Sequence, residues 1–449
     1  MNILQDKKFL RTMITLALPI TIQCFITSSL NLVDNVMIGK LGEAPIAAVG
    51  LANQYFFIFM LCIGGINAGA SVFMSQYWGK RDVKNIHKVL GLDITVGFIA
   101  SSIFAIGAFF FSDIIMNILS NDIEVINLGS LYLKIAAISY FFTNFTQGYS
   151  SALRSTEQTK LPMYGSLLAV LCNAFLNWIF IFGNLGFPEM GVAGAALATT
   201  LARFIEMLFI ILIVYIKKNK VASNIKELFS FDFNFVKVYF NTSTSVIINE
   251  IIYSCGVTAY SIAYAQIGTS EVATMQIATT LINMFMVLCT GLANAAAIMV
   301  GNKIGAKEEE EAIEYSKKLG LISPIIGLTL GIIIWLTAPM ILKVFNITPE
   351  TYSDAIKVLR VMAVFCAIRT YNVVMIVGVF RGGGDTTYSM LVQAATIWLY
   401  AVPIAFISAM LWSVPIYIVY LFICLEEIIK LGFEISRLRS GKWLNNVVE

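Results

Sequence analysis

Twenty consecutive residues near the amino terminus, Thr12 to Asn31, carry no charge. At about 1.5 Å of rise per residue, a helix of that length crosses a hydrocarbon core of roughly 30 Å. In such a medium a chain must satisfy its own backbone, which leaves helices or a closed barrel. Further long apolar runs follow, too uniformly apolar for barrel strands. The expected spans cover residues 12–38, 46–76, 90–112, 129–153, 162–184, 190–215, 236–265, 271–301, 318–342, 355–380, 387–411 and 413–436. The expected fold is an all-α polytopic membrane protein of twelve transmembrane helices. Composition agrees, with only 13% of residues charged against about a quarter in soluble domains.

Lys and Arg concentrate at the amino terminus, the even-numbered loops and the carboxyl terminus. Examples are GKRDVKNIHK (79–88), KKNK (217–220) and the tail with Arg437, Arg439 and Lys442. The positive-inside rule then places both termini in the cytoplasm of a multi-pass inner-membrane protein. The net charge of +3 is not gathered into a groove, so nucleic acid is not an expected partner. All seven cysteines fall inside spans and none forms a C-x-x-C pair, which argues against a disulfide framework or a zinc site. The first apolar stretch is too long for a signal peptide and reads as an uncleaved helix.

The longest polar connection, Lys217–Lys237, divides the chain into an expected N-lobe (1–215), a cytoplasmic linker (216–235) and a C-lobe (236–449). The halves resemble each other. LGEAPIAAVGLANQ (41–54) aligns with IGTSEVATMQIATT (267–280) at a shift of 226, and LRSTEQT (153–159) with FRGGGDT (380–386) at a shift of 227. Six spans per half give a parallel repeat about the membrane normal, an architecture used by secondary transporters. The repeat pairs Asp34 with Tyr260, Glu250 with Cys24, and Pro19 with Ser245.

Strongly polar residues inside the spans are few. Asp34 lies near the far end of span one, beyond Pro19, which removes a backbone hydrogen bond and allows a hinge. Asn173 and Asn177 stand four residues apart, so both amides project from one helix face. Span six contains GVAGAALATT (191–200), whose small residues permit close helix approach. A carboxylate, two amide oxygens and the Thr199 hydroxyl suit a hard cation such as sodium. Alternatively, the asparagines only bridge helices. In the second half Glu250 sits near mid-bilayer, either protonated or paired, with Arg369 as the expected partner and Tyr371 and Asn372 beside it. Arg203 and Glu206 are spaced to satisfy each other. These five charges are the expected intramembrane set. RGGGDT (381–386) reads as a cytoplasmic turn. No catalytic set or nucleotide-binding loop occurs, so the chain is not expected to be an enzyme.

These residues resemble the multidrug and toxic compound extrusion (MATE) family, bacterial type. The resemblance covers the whole chain. It rests on LPI (18–20), VDNVMIGKLG (33–42), GLANQ (50–54), SQYWGKRD (75–82), the N-x-x-x-N of 173–177, GVAGAALAT (191–199), Glu250 and RGGGDT. It implies a twelve-helix, two-lobe antiporter that exports organic cations and hydrophobic drugs in exchange for sodium or protons; a monomer without a cofactor is expected. Asp34, Asn173, Asn177 and Thr199 fall on positions that resemble the family's N-lobe cation site. Glu250 resembles its C-lobe carboxylate. The acidic residue expected in span ten is replaced by Thr370, which shifts weight to the N-lobe. The competing function is a flippase for a lipid-linked sugar or phospholipid. An anionic head group calls for several cavity Arg and Lys, and only Arg203 and Arg369 are expected.

Overall fold

The computed structural model describes residues 6–343, 347–412 and 414–449, the side chains of residues 31, 32 and 269 excepted. The described residues form helices and connecting turns, without a strand among them. The first half runs through α1 (Lys7–Ile38), α2 (Glu43–Gly79), α3 (Val83–Phe110), α4 (Ile123–Ala136), α5 (Ser139–Ser155), α6 (Lys160–Phe182) and α7 (Gly191–Ile216). The second runs through α8 (Phe233–Ala265), α9 (Thr269–Gly305), α10 (Glu309–Leu342), α11 (Pro349–Phe380), α12 (Thr386–Leu411), α13 (Ile416–Cys424) and α14 (Glu426–Ser440).

Ten helices among the described residues are long and apolar enough to cross a membrane. The expected fourth span is a bent pair instead, with α4 and α5 meeting at 51°. At the bend the Ser139 hydroxyl donates to the Ala136 carbonyl at 2.6 Å, a side-chain bond that competes with the helical ladder. The expected twelfth span corresponds to α13 and α14, interrupted at Leu425. Glu426, Glu427, Lys430, Glu434, Arg437 and Arg439 place six charged side chains in α14.

The chain divides into two compact units. One comprises residues 22–74 and 82–240, the other the residues up to Thr21, 75–81 and 241–449. Helix α1 runs through the buried Pro19, and the division falls two residues beyond it.

Within the first unit, the small residues of α7 do what their size allows. A Cβ at Gly194 would lie 2.5 Å from the Phe180 carbonyl oxygen of α6. Ile179, Phe180 and Ala198 form a buried cluster at this contact. The close approach brings Asn173 and Asn177 of α6 up to Thr199 of α7.

Within the second unit, the glycine run after α11 is a seat for the carboxyl-terminal tail. Gly384 has φ +77°, a conformation that glycine adopts without strain. The Asn445 N–H donates to the Gly383 carbonyl at 2.8 Å. Gln76 joins the same place, donating to the carbonyls of Gly382 and Asn445 and accepting from the Val447 N–H at 2.8 Å.

Gly194→Val drives a side chain into the Phe180 carbonyl. Overpacking of this kind costs about 1–3 kcal/mol. The expected outcome is a lower melting temperature in detergent and loss of folded protein, read by size-exclusion chromatography.

Candidate functional site

The interior of the first unit holds a connected set of polar side chains. Asp34 is 8% exposed, and Asn173 and Asn177 are fully buried. The Asn177 Nδ2 donates to Asp34 Oδ1 at 2.5 Å and to Asn173 Oδ1 at 3.0 Å. The Asn173 Nδ2 donates onward to the Thr199 hydroxyl at 3.3 Å. The spacing of the two asparagines puts both amides on one face of α6, and α1 and α7 supply the other members. The structure therefore brings together all four residues of the expected amino-terminal set.

The charge balance of this cluster is unusual. A buried carboxylate ordinarily faces a full positive charge. Asp34 faces an amide N–H. Arg203 acts on it at longer range, but its Nη1 donates to Glu206 Oε2 at 3.0 Å. Glu206 is 2% exposed and also accepts from the Ser166 hydroxyl at 2.9 Å. Ser166 in turn accepts from Gln23, and Gln23 Oε1 accepts from Arg154 at 3.2 Å. Arg203 is thus held by its own helix, as the spacing predicts.

Asn177 Oδ1 is buried without a hydrogen-bond partner among the described residues. An unpartnered amide oxygen beside a carboxylate and a hydroxyl is an oxygen donor set for a hard monovalent cation. Tyr132 of α4, also buried, brings its hydroxyl beside Thr199. The sequence contained little to single out Tyr132, because its place beside Thr199 comes from the packing of α4 against α7. Asp93 of α3 was also missed. It is 1% exposed, and neither carboxylate oxygen has a partner among the described residues.

The expected second-half set is divided. Glu250 does not pair with Arg369. Its Oε1 accepts from Arg381 Nη2 at 2.9 Å, and Arg381 is the first residue of the glycine run read as a turn. Arg369 instead faces Glu427, with Nε 3.9 Å from Oε1. Asn372 donates to the same residue, to its Oε2 at 2.7 Å and its carbonyl at 2.8 Å. Tyr371 is buried against Gly320 of α10. The reason for the division is register: Arg381 lies three helical turns beyond Arg369, at the level where α8 presents Glu250.

Helix α14 supplies charges that the expected intramembrane set omitted. Glu426, Lys430 and Glu434 recur every fourth residue and are all buried. Lys430 Nζ donates to Glu426 Oε1, and Tyr260 donates to Glu426 Oε2 at 3.0 Å. Neither oxygen of Glu434 has a hydrogen-bond partner among the described residues. The signal was present in the spacing.

The MatE family profile matches residues 19–179 and again 245–407. The chain is 24% identical over 447 residues to a probable multidrug resistance protein NorM of Thermotoga maritima, covering 98% of this chain and 94% of the relative. Among solved structures, MATE in the bent conformation aligns with TM-score 0.88 at 22% identity, covering 97% of this chain and 96% of that one. MATE in the straight conformation aligns with TM-score 0.86 at 22% identity, covering 96% of each chain. At these identities the structural likeness establishes the fold.

Glu250→Gln strands the buried Arg381, which cannot shed its charge. Arg381→Gln strands Glu250, which can take a proton. With Glu250 partly exposed, the expected cost is about 1–3 kcal/mol for Glu250→Gln and less for Arg381→Gln. The double variant recovers part of the loss, whereas Glu250→Gln with Arg369→Gln recovers none. Thermal unfolding of the single and double variants checks the cycle.

Proposed function

The chain belongs to the MATE family of multi-span membrane transporters, and from that premise we propose that it is a cation-coupled antiporter exporting organic cations and hydrophobic drugs by alternating access. The coupling ion, sodium or a proton, binds at Asp34 with Asn173, Asn177 and Thr199. Relatives in this family are transporters rather than enzymes. The protein lies in the inner membrane with both termini in the cytoplasm, as the Lys and Arg distribution favours.

The observation that carries this reading is the Asp34 cluster, a buried carboxylate matched by amide and hydroxyl groups rather than by a fixed cation. A fixed guanidinium would satisfy the carboxylate permanently. Neutral partners let it change charge compensation once per cycle, which coupling requires. The ion binds Asp34 and is matched by the Asn177 and Thr199 oxygens. Loss of the ion returns the carboxylate to the Asn177 N–H.

The flippase alternative calls for cationic groups free to meet an anionic head group. Arg203 and Arg369 each face a carboxylate, which favours cationic and neutral cargo.

Helix α1 carries both Asp34 and Pro19, about 22 Å apart along the axis. A proline leaves one carbonyl without its helical donor and lowers the cost of bending. Ion binding at one end of α1 then biases bent against straight forms, a two-state element of the kind coupling needs. Solved MATE structures are described in bent and straight conformations, which supports the same motion in this chain.

Reconstitution into vesicles tests the reading. Sodium and pH gradients are imposed separately while a fluorescent organic cation is followed. One gradient drives export in the unaltered protein. Asp34→Asn, which keeps shape and removes charge, is expected to lower gradient-driven export on the order of tenfold or more. Near-normal export by Asp34→Asn at equal protein content would remove Asp34 from the mechanism.

Pro19→Ala stiffens α1. The expected outcome is slower turnover with substrate affinity nearly unchanged, measured by transport and by equilibrium binding. Unchanged turnover would mean that the proline is only tolerated.

A further inference from the structure

Five charged side chains gather where α14 packs on α11, and they do not balance. Arg369 and Lys430 are positive, whereas Glu426, Glu427 and Glu434 are carboxyl groups. Arg369 faces Glu427, which also accepts from Asn372 at 2.7 Å. Lys430 donates to Glu426, which also accepts from Tyr260. Both positive charges are taken, and Glu434 is the carboxyl left over.

The remaining neighbours do not supply the missing charge. Arg437 stands three residues further along α14, but its Nε and Nη2 donate to Asp385 at 2.7 and 3.1 Å. Arg439 is exposed. Tyr371 of α11 and Tyr388 of α12 lie in range of Glu434, and a phenol supplies no positive charge in either protonation state. Glu427 adds repulsion. Glu434 is fully buried, and neither oxygen has a hydrogen-bond partner among the described residues. A carboxyl so placed sheds its charge by taking a proton. A metal ion is a poorer occupant, because the Lys430 ammonium stands one turn away and repels it. The described residues also hold no group of three His, Cys, Asp or Glu side chains that could ligate one.

We propose that Glu434 is a proton-binding site of the second unit, and that Lys430 is the cation it shares with Glu426. Lys430 stands four residues from each, so its ammonium reaches either along one helix face. With Glu434 protonated, Lys430 serves Glu426, the arrangement seen here. When Glu434 gives its proton to water, the ammonium moves to the new carboxylate and Tyr260 keeps its bond to Glu426. The path to water is short, since α14 ends at Ser440, about 9 Å further along the axis. This site lies in a different unit from Asp34 and stands whether or not Asp34 is the coupling site.

The test is infrared spectroscopy of the purified full chain in detergent, with heavy-carbon label in glutamate to separate its bands from those of aspartate. At neutral pH the unaltered protein is expected to show the carbonyl band of a protonated glutamic acid, which bleaches as the pH is raised. Glu434→Gln keeps the shape and is expected to lose that intensity. Absence of the band in the unaltered protein, its persistence up to the pH of unfolding, or an undiminished band in Glu434→Gln overturns the proposal. Exchanging choline chloride for sodium chloride at fixed pH is expected to leave the band unchanged, and its loss in sodium overturns the assignment to a proton. Lys430→Met removes the shared cation and is expected to move the bleaching to more alkaline pH by about 1–3 on the pH scale. Glu426→Gln frees Lys430 for Glu434 and is expected to move it to more acidic pH. An unmoved titration in Glu426→Gln overturns the role of Lys430, whether or not Lys430→Met folds.

Discussion

A charge inside a hydrocarbon layer has to be compensated by something the protein itself provides, because water is absent and desolvation costs several kcal/mol per ion. That constraint orders most of the polar interior of this protein; Asp93 and Glu434, buried with no hydrogen-bond partner on either carboxylate oxygen among the described residues, stand outside it. Glu206 is met by Arg203, Glu250 by Arg381, Glu427 by Arg369 and Glu426 by Lys430. Each is a carboxylate with a positively charged partner. Asp34 is different in kind. Its partners are an amide and, through it, a second amide and a hydroxyl. The compensation comes from neutral groups.

The placement of that group depends on helix packing that has nothing polar about it. Glycine at 194 lets α7 approach the α6 backbone closely, and only at that separation does Thr199 reach Asn173. The same logic holds at the other end of the chain. The glycine run that carries Arg381 is seated against the tail, with Gln76 bridging both. A segment that looks like a loop is therefore tied down at several points, which fixes the arginine that holds Glu250.

Much of the architecture was legible in the sequence because it rests on local physics. Helices that satisfy their own backbone follow from apolar length alone. The pairing of Asn173 with Asn177, and of Arg203 with Glu206, follows from spacing on a single helix. What was missed is also instructive. Glu426, Lys430 and Glu434 share one face of α14, yet they lie in a stretch assigned to a span because its neighbours are strongly apolar. Average hydropathy concealed a polar face. Tyr132 enters the site through the packing of α4 against α7, which no run of residue types announces.

The sequence by itself determined that this is an all-helical membrane protein with an internal repeat, that it belongs with the MATE transporters, and that Asp34 is the carboxylate to examine. Those conclusions depend on composition, period and motif, which are properties of the chain in one dimension. Only the tertiary structure decided which charge meets which. Read along the chain, Arg369 inside span ten is the partner for Glu250, and Arg381 belongs to a run that reads as a turn; the structure pairs Glu250 with Arg381. The choice is made by the axial register of α8 against α11, and register between helices is set by side-chain packing across an interface rather than by spacing along either strand of sequence.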